Sequence, residues 1–190
     1  MLHARETEGV DLQDHPTLFM EFHAALEALE AGLDAVREIC KEMGAIGVRA
    51  TTDTAERRKL WHARRLLRSW CVPAPGYHFF IMDVAVPISA YPELIGYVES
   101  LKKEHGVTAY MIGHAGDGNI HVEFPYADDA EFERALKLDA LIVHRAIDLG
   151  GTATGEHGVG IGKAMFMEHE HGDALDVMRG IGACSTRTAS

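Results

Sequence analysis

The sequence has no apolar run approaching the roughly 18 residues of a membrane span. Its first residues also lack the basic-then-apolar pattern of a secretory signal. Positive charge is scarce: 18 Lys and Arg stand against 29 Asp and Glu, for a formal net charge of −11. That balance argues against a nucleic-acid surface, which needs clustered basic side chains. Cysteine is scarce too. Cys40, Cys71 and Cys184 are odd in number and show no CxxC spacing, which favours reduced thiols in a cytoplasmic protein over a disulfide framework. No internal repeat is visible. What remains is ordinary for a soluble domain: 190 residues, 47% hydrophobic and 25% charged, enough to bury a core. Histidine is the exception, at twelve residues.

The first segment, 1–15, is polar and unpatterned, a ragged start. "PTLFMEF" (16–22) and "IGVRAT" (46–51) read as strands. Between them Leu26, Leu29, Leu33, Val36, Cys40 and Met43 recur at helical spacing, with Gly44 as the stop. Asp53 and Glu56 resemble a capping box that opens a helix through about Trp70. "CVPAPG" is a loop, and "YHFFIMDVAVP" is the strongest strand in the chain. Ser89 is expected to cap a helix carrying Leu94, Ile95, Val98 and Leu101, closed by Gly106. "VTAYMIG" and "NIHVEF" are strands joined by a tight turn, followed by a long helix with Phe132, Leu136, Leu141, Ile142 and Ile147 facing the core, stopped at Gly150 and Gly151. Strands joined by a tight turn imply an antiparallel sheet with helices on one face, an α+β fold. That domain spans 16–151. A Gly-rich loop and a small helical C-terminal segment occupy 152–181, leaving a tail at 182–190.

Chemistry concentrates in two stretches. "GHAGDGNIH" (113–121) places two glycines between two histidines, with a third glycine just before the first. On a strand, Asn119, His121 and Glu123 share one face and Ile120, Val122 and Phe124 the other. The first face should line something wet, with the turn bringing His114 toward His121. An Asp-Gly hairpin with two surface histidines accounts for the same residues. "TGEHGVGIGK" (154–163) sets Glu156 beside His157 among glycines. It fails as a phosphate loop, because a Walker motif needs Gly where His157 sits and Ser or Thr where Ala164 sits. Two histidines and a carboxylate form a common divalent-metal set that keeps positions open for substrate. His114, His121 and Glu156 could supply it, leaving His157 as a general base.

Other candidates are weaker. "EHEHG" (168–172) lacks the HExxH spacing and reads as a solvated helix end. Met165 and Met167 read as packing residues. Arg64, Arg65 and Arg68 read as a solvated helix face, one of which could reach a substrate carboxylate.

Taken together, "GHAGDGNIH" and "TGEHGVGIGK", with "PTLFMEFH", "LWHAR" and "DVAVPIS" in order before them, resemble the C-terminal domain of FAD-linked oxidases. That family holds the D-lactate dehydrogenases, the glycolate oxidase flavin subunit and the D-2-hydroxyglutarate dehydrogenases. The likeness runs from about Pro16 to Arg179. It implies an α+β cap with ferredoxin-like pieces, packed over an FAD-binding domain supplied in cis or in trans. By motif, His114, His121 and Glu156 match ligands of a divalent metal, zinc or manganese. His157 matches the active-site base, Asn119 lies near the flavin, and Arg64 matches the arginine for the substrate carboxylate. The implied reaction oxidises a small 2-hydroxy acid to a 2-oxo acid, with hydride passing to the flavin.

Two departures qualify the resemblance. A flavin domain is not expected within these residues, and their ending "GIGACSTRTAS" lacks the Asp-Pro and Asn-Pro-Gly-Lys segments of the family. Glu123 also stands where the hydroxyglutarate branch carries a polar amide, which favours a lactate- or glycolate-like substrate. The isolated chain is therefore expected to be inactive, to hold little FAD, and to form a homodimer through its uncovered face. Its expected location is the cytoplasm, either free or peripheral to a membrane through an electron-acceptor partner. A stand-alone metal-binding module that joins a separate flavin subunit is the main rival, and a metallohydrolase the third reading.

Overall fold

The computed structural model describes residues 15–71 and 74–186. Most of the ragged segment 1–15, Val72 and Pro73 of the expected loop, and the last four residues of the tail lie outside that range, as do the side chains of Leu26 and Arg68. The chain divides into two compact units, Met1–Cys71 and Val72–Ser190.

In the first unit, helix α1 (Leu26–Glu42) half-buries Leu29, Leu33, Val36 and Cys40, a single stripe at helical spacing. Met43, grouped with that stripe by its spacing, is 81% exposed beyond the helix end. Gly44 adopts φ +77° and its N–H bonds Lys41 O, which stops the helix. Helix α2 (Thr54–Trp70) opens with Asp53 Oδ1 accepting from Glu56 N at 2.8 Å. The box is one-sided, because the Glu56 carboxylate pairs with Arg49 instead of reaching back. Residues 16–22 and 46–51 are not strands. No backbone hydrogen bond joins either segment to another among the described residues. Both line an apolar groove of about 810 Å³. Strand-like composition makes a strand only where a second backbone is in reach to complete the ladder.

The second unit is built on three antiparallel strands, β1 (His78–Ala85), β2 (Tyr110–His114) and β3 (Asn119–Tyr126), in the order β1-β3-β2. Helix α3 (Tyr91–His105) connects β1 to β2, and helix α4 (Asp129–Asp148) follows β3, so the unit is a split β-α-β-β-α arrangement. Ala85 and Thr152 form an isolated antiparallel bridge on the outer edge of β1, where a further strand would add. The chain then leaves as the glycine-rich loop. A 3₁₀ turn at Ala164–Phe166, helix α5 (Met167–His171) and helix α6 (Ala174–Thr186) follow.

Period-two alternation sends Met82, Val84, Ile120, Val122 and Phe124 into one core with Leu94 and Val98 of α3 and Leu138, Ile142 and Ala146 of α4. Two expected details differ. Ser89 does not cap α3; a 3₁₀ turn at Ile88–Ala90 leads into the helix, whose N-cap position is Ala90, with Pro92 in its first turn. Leu141 is 40% exposed and Leu138 takes its place in the core, because Ala135, Leu138, Ile142 and Ala146 define a stripe that Leu141 misses. Asp128 caps α4 by accepting from Glu131 N, and Gly106 closes α3 at φ +58°.

Candidate metal and active site

The face of the sheet opposite α3 and α4 carries the polar residues. Register pairs His121 with Asp83 on β1 and with Ile112 on β2, and pairs Asn119 with Ala85 and His114. The β2–β3 connection is one 3₁₀ turn, Ala115–Asp117, ended by Gly118 at φ +70°. A side chain there would stand 1.9 Å from Val86 O, so the turn closes only with glycine. The tight turn sets the His114 and His121 rings 5.8 Å apart, at 85°.

The loop after the Ala85–Thr152 bridge then folds over this face. Asp83, 2% exposed, accepts from Glu156 N at 2.6 Å and from His157 N at 3.1 Å through one oxygen, Oδ2. The loop start is tied by Glu170, which accepts from Ala153 N at 2.8 Å. Its end is tied by Lys163, whose ammonium bonds Asp139 of α4 at 2.9 Å with both side chains nearly buried. Lys163 is thus an anchor, and Glu170 gives "EHEHG" a structural part that a solvated helix end would not have. Met167 is packed, but Met165 is 75% exposed.

These ties bring Glu156 to the histidines. Its Oε1 lies 3.1 Å from His121 Nε2 and 3.8 Å from His114 Nε2, and one ligand atom from each of the three falls within 4.8 Å of the others. Ligand atoms on an ion with bonds of about 2.1 Å sit about 3.0–3.4 Å apart, so the three could hold a first-row divalent metal once His114 closes on the other two. Asp83, His121 and His157 form a second group of the same size. There, however, the His121 and His157 rings stack at 5.0 Å and 24°. Nitrogen lone pairs lie in the ring plane, so nearly parallel rings aim past each other, whereas the crossed rings of His114 and His121 can converge.

Burial lowers the His121 pKa below its usual 6.5; Glu156 pulls the other way, and His157 adds to the lowering. A neutral imidazole is the form a metal needs. His157 is half-exposed, with Nδ1 3.7 Å from Asp83 Oδ1 and Nε2 3.9 Å from Glu156 Oε1. Asn119 and Glu123 are each 5% exposed. The face expected to be wet is therefore largely covered, with His121 its partly accessible member. Asn119 is packed beneath Gly155, and neither of its carboxamide atoms has a hydrogen-bond partner among the described residues. Arg64 belongs to the first unit, half-buried on α2.

A model of the C-terminal domain of FAD linked oxidases matches residues 1–184. The chain belongs to that family. The match extends beyond the stretch 16–179 that the motifs alone delimit. Among relatives, "Probable D-lactate dehydrogenase, mitochondrial" of Danio rerio is 33% identical over 88% of this chain and 35% of its own length. "D-lactate dehydrogenase [cytochrome], mitochondrial" of Arabidopsis thaliana is 33% identical over 91% of this chain and 31% of its own length. "Glycolate oxidase subunit GlcD" of Bacillus subtilis is 29% identical over 92% and 38%. The chain thus spans about a third of the length of the curated relatives it matches. No helix among the described residues is long and apolar enough to cross a membrane.

In this FAD-linked oxidase C-terminal domain, the residue that motif reading missed is Asp83. A signal was present: one acid in the otherwise apolar run "FFIMDVAV", on the same strand face as Ile81 and Ala85. Lys163–Asp139 and Glu170–Ala153 left no comparable signal, since each joins segments that are distant in the chain.

Proposed function

We propose that this chain is the substrate- and metal-binding part of an FAD-dependent D-2-hydroxyacid dehydrogenase with a lactate- or glycolate-like substrate. The observation that carries the proposal is the convergence of His114, His121 and Glu156 in a member of this family. These three residues would hold zinc or manganese. Such an ion, when bound, supplies Lewis acidity to the hydroxyl and carboxylate of a 2-hydroxy acid. FAD, held mainly by a partner domain, supplies the hydride acceptor. His157, at the Glu156 edge of the ligand set, takes the hydroxyl proton. Arg64 binds the substrate carboxylate, and Asn119 lies near the flavin. The exposed side chains of Ile161 and Met165 beside the loop support a face that a flavin domain or a second copy of the chain covers.

Calorimetric titration of the chain with Zn²⁺ and Mn²⁺ tests the metal set. One equivalent should bind. His114→Ala, His121→Ala and Glu156→Gln should each weaken it beyond the roughly 10- to 100-fold that follows loss of an outer-shell group. His169→Ala and His171→Ala should leave it unchanged. An equal loss from the last two, or no binding at all, overturns the ligand assignment.

A further inference from the structure

The backbone of the loop that carries Glu156 and His157 is hydrogen-bonded to the sheet through a single carboxylate. Asp83 is the one acid on β1, and its side chain is 3% exposed. Oδ2 is taken by the two loop N–H groups, across 73 and 74 residues of chain. Oδ1 is turned to the His157 ring, 3.7 Å from Nδ1. Among the described residues His157 is its one ion-pairing partner.

We propose that Asp83 is a positioning residue that does two things at once. It holds the 156–157 backbone over the sheet, and it sets the tautomer of His157, with the proton on Nδ1 and the lone pair on Nε2. A carboxylate offers acceptors only, so the hydrogen between Oδ1 and Nδ1 must come from the imidazole. The separation is longer than a hydrogen bond, and a closure of about 0.8 Å by rotation of the half-exposed ring makes one. The other nitrogen, Nε2, then keeps its lone pair on the side of the ligand set: Glu156 Oε1 lies 3.9 Å from it, but that carboxylate is 52% exposed and solvated, whereas Asp83 is 3% exposed and needs the proton donor. A base working there needs that nitrogen bare. The same carboxylate therefore delivers the residue and prepares its reactive atom, because both oxygens are engaged by adjacent parts of one dipeptide.

The inference rests on reading His157 as the base, and its test is independent of metal and of turnover. In Asp83→Asn the amide oxygen can still accept the two loop N–H groups, while the NH₂ replaces Oδ1 with a donor. Nδ1 must then accept, and the proton moves to Nε2. Long-range ¹H–¹⁵N spectra of the labelled full chain, with chelator present and above the ordinary histidine pKa of about 6.5, read this directly. A hydrogen bond to a charged acceptor is strong enough to bias the tautomers by more than about tenfold. The wild-type chain should show a protonated Nδ1 and a bare Nε2 at His157. In Asp83→Asn the pattern should reverse while the Glu156 and His157 backbone amides keep their bonded shifts. A carboxylate that merely braced the loop would leave the tautomer unmoved. A bare Nδ1 or an even mixture in the wild type overturns the proposal, and that arm needs no variant to fold. Failure of the metal titration with the tautomer as stated would sink the ligand set and leave Asp83 in its role.

Discussion

Gly155→Ala should separate a built site from a chance gathering of polar groups. A Cβ at this position would stand 1.8 Å from Asn119 Nδ2 and 3.0 Å from both Asn119 Cγ and Asp83 Oδ2. Ordinary contact is about 3.5 Å, so something must move by about 1.5 Å. With Asn119 5% exposed, the expected response is that the loop lifts. A lift of that size stretches the 2.6 Å bond from Glu156 N to Asp83 to about 4 Å, past hydrogen-bond range. Overpacking alone costs about 1–3 kcal/mol, and two bonds to a carboxylate about 3–6 kcal/mol if wholly lost. With water replacing part of those bonds, the variant should lose about 2–4 kcal/mol in urea unfolding. Carrying Glu156 away from the histidines should weaken Zn²⁺ binding about 10- to 100-fold. Gly162→Ala is the control, with nothing within 4 Å of its Cβ and an expected effect within about 0.5 kcal/mol. If the two variants match in stability and in metal affinity, the loop is not seated on Asn119 and Asp83 as described.

Two further outcomes follow from the anchors and from His121. Lys163→Met should cost about 3–5 kcal/mol in urea unfolding, because it strands Asp139 in a nearly buried position; Lys163→Met combined with Asp139→Leu should recover most of that, and a double variant as unstable as the single one would show that the pair is not what holds the loop end. His121 has a folded-state pKa below its unfolded 6.5, chiefly from burial. The unfolded chain therefore binds the extra proton, and stability should fall as pH drops below about 6.5 until it passes the folded pKa. His121→Gln should lose less stability than the wild type between pH 7.5 and 5.5, and identical pH slopes would contradict the assignment.

The sequence by itself determined what local rules control. The α1 stripe and its Gly44 stop, the Asp53 cap, the β1 run, the β2–β3 hairpin and the end of α4 at Gly150 each depend on residues a few positions apart. Those same rules singled out His114, His121, Glu156 and His157, because turn glycines and paired ligands are local signals. Tertiary structure decided everything that needed a distant partner. Residues 16–22 and 46–51 have strand-like composition and no strand, since a ladder needs a second backbone that composition cannot supply. Leu141 and Leu138 are both apolar on one helix, and only the sheet against α4 chose between them. Glu156 reaches the histidines because Asp83, 73 residues earlier, accepts its N–H. A buried carboxylate must satisfy its oxygens somewhere, but where is a property of the folded chain: the strand register puts Asp83 opposite His121, and the loop that follows the Ala85–Thr152 bridge returns to Asp83 Oδ2.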